Sequence, residues 1–365
     1  MDASAIAGAI LTIDLEAIVA NWRLIGGRLK GAEAGAVIKA DAYGLGAVKV
    51  GPALARAGCR QFFVAHISEG IALRSVLPNA DIHVLNGLLP GTAAAFAAHR
   101  LIPVLNSLAE IEAWRRAAGP NGGPADIHVD TGMRRLGLAP AELRRVADEP
   151  ALVAGLRLAL VISHLACADE PEHGLNREQL DRFRDATRLF PGVRTSFANS
   201  SGIFLGEAYH GDVARPGAAL FGIAPVPGKP NPMAAVLSLQ AKVLQVRDVD
   251  ARETVGYGAT HRIGRRGRLA TVAVGYADGY LRSLSNRGSA YLGDVRVPIV
   301  GRVSMDLITL DVTALPAQAV VPGTLVDLIG PHLTVDAVGE AAGSIGYEIL
   351  TGLGQRYHRI WRGGA

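Results

Sequence analysis

Between Ala34 and Gly222, short apolar runs alternate with amphipathic stretches rich in Ala, Leu and Arg. This alternation is typical of βα units, and its repetition predicts a parallel sheet. The predicted strands end near Lys39, His66, Asn86, Asn106, Asp130, His164, Asn199 and Arg215. Eight strand ends favour an α/β fold with a closed (β/α)8 TIM-type barrel. An open doubly wound sheet is the alternative, but no G-x-G-x-x-G motif follows the first strand.

The pattern changes after Phe221, where four prolines between Pro225 and Pro232 predict a turn-rich linker. The chain beyond has almost no helical periodicity, and its β-type runs predict a mostly β, mainly antiparallel C-terminal domain. These runs cover residues 236–249, 269–276, 295–300, 307–312 and 325–329. We predict a barrel domain at 12–228 and a β-domain at 229–365. The apolar stretch at 5–13 is interpreted as a strand, and residues 1–11 are expected to join the β-domain.

Composition narrows the class of protein. Of 365 residues, 49% are hydrophobic and 19% charged, which indicates a large core and no extended disorder. The formal charge is only +4, and the basic run at 262–268 contains glycines typical of a solvated turn, so we expect no nucleic-acid partner. The two cysteines form neither a disulfide framework nor a zinc motif, which favours the cytoplasm and no metal site. No apolar stretch is long and uncharged enough to span a membrane.

The segment at 36–46 carries the most chemical information, because Lys39 ends the first predicted strand. A lysine at the mouth of a barrel is partly desolvated, which lowers its pKa and exposes a nucleophilic amine suited to Schiff-base chemistry. Tyr43 follows four residues later, near enough to serve the same site. Taken alone, such a lysine is more often an ordinary solvated side chain.

The Lys39 segment resembles the cofactor-lysine motif of the alanine racemase family, and the resemblance continues over nearly the whole chain. Further matching segments occur in order along the sequence. They are DTGMRRLG at 130–137, SHLACADE at 163–170, ANS at 198–200, ARPG at 214–217, VGYGAT at 255–260, VGYADG at 274–279, GRVSMD at 301–306 and GYE at 346–348.

This resemblance implies an enzyme that interconverts L-alanine and D-alanine with pyridoxal phosphate held on Lys39. It implies a homodimer with shared active sites, in which the β-domain of one subunit reaches the barrel of the other. Lys39 is then the base on the D-alanine side, and Tyr257 from the partner copy is the base on the L-alanine side. Two opposed bases suit this chemistry, because racemisation exchanges protons on both faces of Cα.

The resemblance also implies supporting roles. His164 is expected to link Tyr257 to Arg215, and Arg215 to face the pyridine nitrogen, where its permanent charge leaves that nitrogen unprotonated. The remaining cofactor-binding residues are Tyr43, Asn199, Ser200, Gly217, Ala218 and Tyr347. Arg135 and the backbone of Met305 are expected to bind the substrate carboxylate, with Tyr276 and Tyr347 narrowing the entrance. In isolation, each of these residues is an ordinary strand-end, turn or sheet residue.

The sequence departs from the family pattern at two positions. His128 stands where many members carry a carbamylated lysine, so we hypothesise that His128 or a bound anion orients Arg135. Ser304 stands where a cysteine often precedes the methionine. Three alternatives stay open from the residues: a broader-specificity racemase, a pyridoxal-phosphate decarboxylase, and a non-catalytic carrier of the cofactor. The resemblance does not distinguish supply of D-alanine for peptidoglycan from degradation of D-alanine.

Overall fold

The computed structural model describes residues 3–118 and 123–364, which separate into two compact units. The barrel unit is Ile18–Met233, and the β-unit combines the described residues up to Ala17 with those from Ala234 onward. The turn-rich segment from Pro225 to Pro232 contains no helix or strand. Residues 1 and 2 of the predicted N-terminal strand lie outside the described residues.

The predicted barrel is confirmed. Seven strands pair in parallel in chain order: Ala36–Val37, Gln61–Val64, Asp81–Val84, Ile102–Leu105, Pro124–His128, Arg157–Ile162 and Arg194–Ser196. The eighth strand, Val213–Ala214, pairs in parallel with Glu33–Ala34, which precedes the first strand. Backbone bonds from Arg215 N to Ala198 O at 2.9 Å and from Val37 N to Pro216 O at 2.8 Å join the eighth strand to both neighbours. The sheet is therefore a closed ring.

Helices precede or connect the strands of the ring. They are Leu15–Arg28, which begins in the β-unit, Ala47–Arg56, Ile67–Arg74, Ala93–Ala98, Leu108–Ala118, Pro140–Asp148 and Leu175–Thr187. Shorter 3-10 turns are Pro150–Leu152, Gly202–Phe204, Glu207–Tyr209 and Ala218–Phe221. Because every helix returns the chain to the same end of the sheet, the polar residues that follow the strands meet at one face.

The barrel interior is filled by apolar side chains from strands around the ring. One cluster comprises Val37, Phe63, Val104, Leu160, Ile162 and Val213, all buried. The His83 ring stacks on Phe63, with centroids 4.5 Å apart. The barrel is thus a packed core and not a pore, and it leaves only its strand ends for chemistry.

The β-unit is mostly antiparallel, as predicted. Its main sheet has the order Val295–Pro298, Ser289–Leu292, Leu325–Ile329, Leu237–Val249, Ala9–Asp14 and His358–Arg362, and the last two pair in parallel. Gly267–Val272 pairs with Leu237–Val249 and Ile308–Asp311, while Thr254–Val255 and His261–Arg262 form a separate hairpin. In the long strand, Leu237, Leu239, Ala241 and Val243 are buried at alternate positions, which is the period that a half-buried strand requires.

Three sequence-based expectations for this unit are corrected. The stretch at 5–13 is not one strand: helix Ala3–Ile6 precedes strand Ala9–Asp14, and between them Gly8 closely approaches Ala273. The predicted strand at 269–276 ends at Val272, and residues 276–278 form a 3-10 turn. Helices Val335–Ala342 and Gly346–Thr351 were not predicted, although Thr334 caps the first of them by accepting from Ala337 N at 3.2 Å.

Candidate active site

Lys39 begins a left-handed turn at the carboxyl end of the first barrel strand. Ala40, Asp41, Ala42 and Tyr43 have φ values between 52° and 55°. For residues with a Cβ this conformation costs about 1–2 kcal/mol each. Asp41 stabilises the turn, because its Oδ1 accepts from Ala47 N at 2.7 Å. Backbone strain of this kind is typical of segments whose side chains have a fixed functional direction.

The Lys39 amine is half-buried among charged groups. Burial lowers its pKa, and the guanidinium groups of Arg135 and Arg215 lower it further, whereas the Glu69 carboxylate raises it. A lowered pKa increases the fraction of neutral, nucleophilic amine near pH 7. The structure therefore brings Lys39, Arg135 and Arg215 to the same end of the barrel.

Arg215 is buried at the end of the eighth strand, with 3% of its surface exposed. It donates to Ser196 Oγ at 2.6 Å and to the carbonyl oxygen of Ser163 at 2.5 Å. Burial lowers the pKa of Arg215 to about 10, so the guanidinium keeps its charge at neutral pH. Ser196 is in turn held by Val213, whose carbonyl accepts from its hydroxyl at 2.6 Å.

His164 lies next to Arg215 and is neutral. Its Nδ1 is 3.4 Å from Arg215 Nη2 and accepts, because a guanidinium group can only donate. Burial and the positive charges of Arg215 and Arg135 hold the pKa of His164 well below its usual range. A neutral His164 whose Nδ1 accepts carries its proton on Nε2. The residue is therefore a hydrogen-bond donor on its other side.

A buried polar chain inside the barrel was not predicted from the sequence. His83 Nδ1 lies 2.6 Å from Asp126 Oδ2, and His83 Nε2 lies 2.8 Å from Gln61 Oε1. Gln61 Nε2 donates to Asp81 at 2.9 Å, so its oxygen accepts from His83 and one proton lies between His83 and Asp126. Burial raises the pKa of Asp126, whereas His83 and Arg215 lower it.

This row of hydrogen-bonded polar side chains balances charge in the barrel. Asp126 is fully buried, and its carboxylate raises the pKa of Arg215 against the effect of burial. An isolated buried charge is costly, so a carboxylate in the same interior stabilises the charged guanidinium. His83 and Asp126 sit within apolar strand runs, and this interruption was the one sequence signal that could have identified them.

His128 ends the fifth strand and is oriented by Asn106. Its Nδ1 lies 2.8 Å from Asn106 Oδ1, and Asn106 Nδ2 donates to Val104 O at 2.8 Å, which fixes the amide. Nδ1 is therefore the donor and Nε2 an acceptor. Burial, followed by the charge of Arg215, lowers the pKa of His128 to about 4. His128 is thus neutral at physiological pH.

Arg135 is exposed on the loop that follows His128. Asp130 shapes this loop, because its Oδ1 accepts from Gly132 N at 2.9 Å and from Arg134 N at 3.0 Å. Arg135 lowers the pKa of both Lys39 and His164, which places its charge near these two residues.

Ser200, Gly217 and Tyr43 form a compact cradle. The buried Ser200 hydroxyl oxygen accepts from Gly217 N at 2.9 Å and from Ala219 N at 3.2 Å, so its own proton points elsewhere. A Cβ at Gly217 would clash with the Tyr43 hydroxyl, so a larger residue here would force Tyr43 to move. Ala218 starts a 3-10 turn here, and the Ser200 hydroxyl lies against the backbone of that turn.

Asn199 stands at the edge of this cradle. It forms a parallel bridge with Arg215, and its Oδ1 accepts from Gly202 N at 2.8 Å. The predicted barrel residues therefore gather at one face. In this structure the Gly217 N–H is bonded to Ser200.

In the β-unit, Tyr257 is 73% exposed in a 3-10 turn between the two hairpin strands. It borders a cavity of about 880 Å³ that is also lined by Arg302, Ser304, Leu307 and Thr309. Ser304 accordingly faces the same cavity as Tyr257. An exposed phenol in a polar concavity is available to a partner or a ligand.

Tyr276 and Met305 are held side by side in the β-unit. Tyr276 N donates to Ser304 O at 3.0 Å, and Ala277 N donates to Met305 O at 2.9 Å. Arg356, which the sequence analysis missed, bonds Asp278 at 2.6 and 2.8 Å and Asp306 at 2.7 Å. Arg356 therefore clamps the segments that carry Tyr276 and Met305.

Tyr347 lies near the start of helix Gly346–Thr351 and is 37% exposed. Among the described residues, no cluster of His, Cys, Asp or Glu has the arrangement of a metal site. Over residues 3–118 and 123–364, no helix has the length and apolar character needed to cross a membrane.

A parallel barrel with a half-buried lysine at its first strand end, two nearby arginines and a buried serine beside a 3-10 turn is typical of the class of barrel enzymes that hold a carbonyl cofactor on lysine. Family models narrow this class. Residues 13–225 match the N-terminal domain of alanine racemase, and residues 236–361 match its C-terminal domain. The chain belongs to the alanine racemase family.

Individual relatives agree. The chain is 51% identical over 361 residues to an alanine racemase of Rhodospirillum rubrum, covering 98% of this chain and 96% of the relative. It is 50% identical over 363 residues to a catabolic alanine racemase of Mesorhizobium japonicum, covering 99% and 95%. The structure matches alanine racemase from Bartonella henselae with covalently bound pyridoxal phosphate at a TM-score of 0.93 and 43% identity, covering 98% and 100%.

Proposed function

We propose that this chain interconverts L-alanine and D-alanine with pyridoxal phosphate, and that Lys39 and Tyr257 are the two bases. The observation that carries the proposal is the half-buried Lys39 amine, which shares one barrel end with Arg215, Arg135 and neutral His164. When bound, pyridoxal phosphate supplies an electron sink that makes the Cα proton of an amino acid removable. The protein must hold the cofactor, orient alanine and move the proton.

The residues of the barrel end fit this cofactor. Lys39 would hold its aldehyde carbon, and Arg215 would face its ring nitrogen. Its phosphate would be held by Tyr43, Asn199, Ser200, Ala218 and Tyr347, with Gly217 keeping the cradle open. The fit is supported by the Ser200 hydroxyl, whose oxygen already accepts two N–H groups and whose proton is left to donate to an anion. Arg215 can donate a hydrogen bond but not a proton, so it would leave the ring nitrogen of the bound cofactor unprotonated and would disfavour side reactions.

Racemisation needs one base on each side of Cα, because a proton removed from one face must be replaced on the other. We assign Lys39 to the D-alanine side and Tyr257 to the L-alanine side. The lowered pKa of Lys39 suits the first role, since the neutral amine can accept a proton. When one base removes a proton from its face of Cα, the other base, already protonated, would donate a proton to the opposite face, so each turnover exchanges the protonation states of the two bases.

A phenol has a reference pKa of about 10, and each unit of depression requires about 1.4 kcal/mol. We propose that His164 supplies part of this by donating from Nε2 to the Tyr257 oxygen, which favours the phenolate. The contact between His164 Nδ1 and Arg215 supports the assignment, because it places the imidazole proton on the side away from the guanidinium.

Tyr257 is proposed to act in a second copy of the chain, in a homodimer with shared active sites. The proposal is supported by the 73% exposure of Tyr257 in a single copy. A phenol that acts as a base must be shielded from solvent, and a second copy would provide that shielding. A two-fold dimer would place two such residues at two barrel ends. Neither copy would then be a complete enzyme alone.

Arg135 and the backbone N–H of Met305 are proposed to bind the alanine carboxylate. Neutral His128 would orient Arg135 by accepting a hydrogen bond at Nε2, because Asn106 takes the proton on Nδ1. Tyr276 and Tyr347 would limit the entrance to a methyl-sized side chain. If so, alanine should react far faster than serine or larger amino acids.

We further propose that the enzyme works in the cytoplasm, which is supported by the free thiols of Cys59 and Cys167. A racemase catalyses both directions at one site. Whether it supplies D-alanine for peptidoglycan or removes it is therefore set by the enzymes around it.

The proposed function is tested by circular dichroism of pure L-alanine and of pure D-alanine, each incubated with the protein and pyridoxal phosphate. Both signals should decay to zero at rates that depend on the enzyme concentration. A signal that persists for either enantiomer, with cofactor bound to Lys39, would contradict the proposal.

A further inference from the structure

Lys39 is followed directly by four non-glycine residues in the left-handed region. The direction of the lysine side chain therefore depends on a backbone segment of unfavourable conformation, which bonds within the turn and bonds from outside it hold in place. The N–H that follows Lys39 belongs to Ala40, and it donates to Glu69 Oε1 at 2.6 Å. This is a short, charge-assisted hydrogen bond at the residue where the strand turns.

Glu69 ties two strand ends together. It lies in the first turn of helix Ile67–Arg74, and its Oε2 accepts from Ala65 N at 2.8 Å and from His66 N at 2.9 Å. One carboxylate thus joins the turn after the first strand to the end of the second strand. A neutral amide in its place has a single acceptor oxygen and cannot accept from both sides.

The same carboxylate is the negative charge that acts on the Lys39 amine. Burial, Arg135 and Arg215 lower the pKa of Lys39, and Glu69 raises it. Neutral His164 also lies near the amine, because the charge of Lys39 contributes to lowering the pKa of His164. Glu69 therefore affects both the backbone that directs Lys39 and the charge balance around it.

A second glutamate in the barrel also joins two βα units by accepting backbone N–H groups from both. Glu142 Oε2 accepts from Ala139 N at 2.9 Å, and its Oε1 accepts from Leu108 N at 3.1 Å, in the preceding βα unit. Neither of these N–H groups adjoins a residue of the proposed site. Glu142 is therefore a matched control for the structural part of the role of Glu69.

We propose that Glu69 is a positioning residue for Lys39, holding the left-handed turn through the Ala40 N–H and balancing the positive charge around the amine. The inference rests on the proposed function in so far as Lys39 is the cofactor lysine. Its structural content concerns the chain alone, so it is testable in the full-length protein without cofactor.

The test compares Glu69→Gln, Glu69→Asp and the control Glu142→Gln with the wild type. Hydrogen–deuterium exchange of the peptide containing residues 39–43 should be faster by about tenfold or more in both Glu69 variants, because the amide has one acceptor oxygen for both strand ends and the shorter carboxylate cannot span them, so the bond to Ala40 is weakened in each. The pH midpoint for labelling of Lys39 by an amine-selective reagent, read by mass spectrometry, should fall in Glu69→Gln. It should stay near the wild-type value in Glu69→Asp, which keeps the charge. Glu142→Gln should change neither quantity.

In the enzyme loaded with pyridoxal phosphate, Glu69→Gln should lower kcat for alanine by about tenfold with little change in KM, since a misdirected base slows proton transfer. Exchange and labelling that match the wild type in both Glu69 variants would overturn the inference. If Glu69→Gln fails to fold, the hydrogen–deuterium exchange of residues 39–43 in Glu69→Asp tests the inference by itself. A wild-type protein that does not racemise alanine would refute the proposed function. The exchange and labelling measurements would still test the positioning role of Glu69.

Discussion

The barrel unit and the β-unit prepare their reactive side chains in opposite ways. Arg215 is 3% exposed and hydrogen-bonded at the barrel end, whereas Tyr257 and Met305 are 73% and 53% exposed in the β-unit. In the barrel, the charged groups of Arg135, Arg215 and Glu69 already lie near Lys39 and act on its pKa. In the β-unit, Tyr257 and Met305 remain exposed to solvent. On the proposed function, one copy of the chain therefore carries the barrel part of the cofactor site already hydrogen-bonded, whereas its proposed second base, Tyr257, is left exposed.

The largest expected effect is the loss of racemisation in Tyr257→Phe, which distinguishes the role of Tyr257 from that of Lys39. In D2O, Tyr257→Phe should lose racemisation by about 10²–10⁴-fold, because the L-alanine side has no base. D-alanine should still exchange its Cα hydrogen for deuterium, since Lys39 remains. Proton NMR measures both. Tyr291→Phe, a sheet tyrosine stacked on His332, is the control and should behave as wild type. Loss of exchange from D-alanine in Tyr257→Phe would contradict the assignment of sides.

The buried histidines of the barrel predict acid sensitivity. The pKa of His128 is about 4 in the folded chain, below the reference value of about 6.5. The unfolded chain therefore takes up a proton that the folded chain excludes as the pH falls from 6.5 to 4. The stabilisation is present above pH 6.5, and about 3 kcal/mol of it is lost by pH 4. Urea unfolding of wild type and His128→Gln across this range measures the difference, and a difference independent of pH would refute it.

Asp126 tests the charge balance inside the barrel. Asp126→Asn should lower the free energy of unfolding by about 2–3 kcal/mol, since it weakens the bond to His83 and leaves Arg215 without a buried carboxylate. The loss should be the same at low and high salt, because buried charges are poorly screened. Denaturant titrations at two salt concentrations make this measurement. A loss that disappears in high salt would place Asp126 in contact with solvent and contradict the account.

The smallest effect is expected at the clamp of the β-unit. Arg356→Met should raise KM for alanine a few-fold by loosening the segments that carry Tyr276 and Met305. Arg356 is half-exposed, with 51% of its side chain accessible. High salt should therefore raise the KM of the wild type toward that of the variant. A variant with unchanged KM at every salt concentration would show that the clamp does not position substrate groups.

Much of the barrel was predictable because its strand ends are marked by polar residues after apolar runs. Lys39, Asn106, His164 and Arg215 all interrupt such runs, and the structure places them at strand ends. Their chemistry did not follow from the pattern alone. The resemblance supplied it.

The rest depends on contacts between distant parts of the chain. Arg356 meets Asp278 across 78 residues, and no local pattern indicates that pairing. The His83–Asp126 pair faces inward only because the ring closes with a particular register, which a single strand does not reveal. The left-handed turn after Lys39 contradicts local propensity, since Ala40 and Ala42 favour a right-handed helix. Tertiary bonds override that propensity.

The central claim is that a working site combines Lys39 of one copy with Tyr257 of the other. Lys39→Ala and Tyr257→Phe chains, each inactive alone, are mixed, and the hybrid dimers are isolated through different affinity tags. Each hybrid should contain one intact site and show about half the turnover of a wild-type dimer. Hybrid dimers that form but show no turnover above the parent variants would contradict the claim.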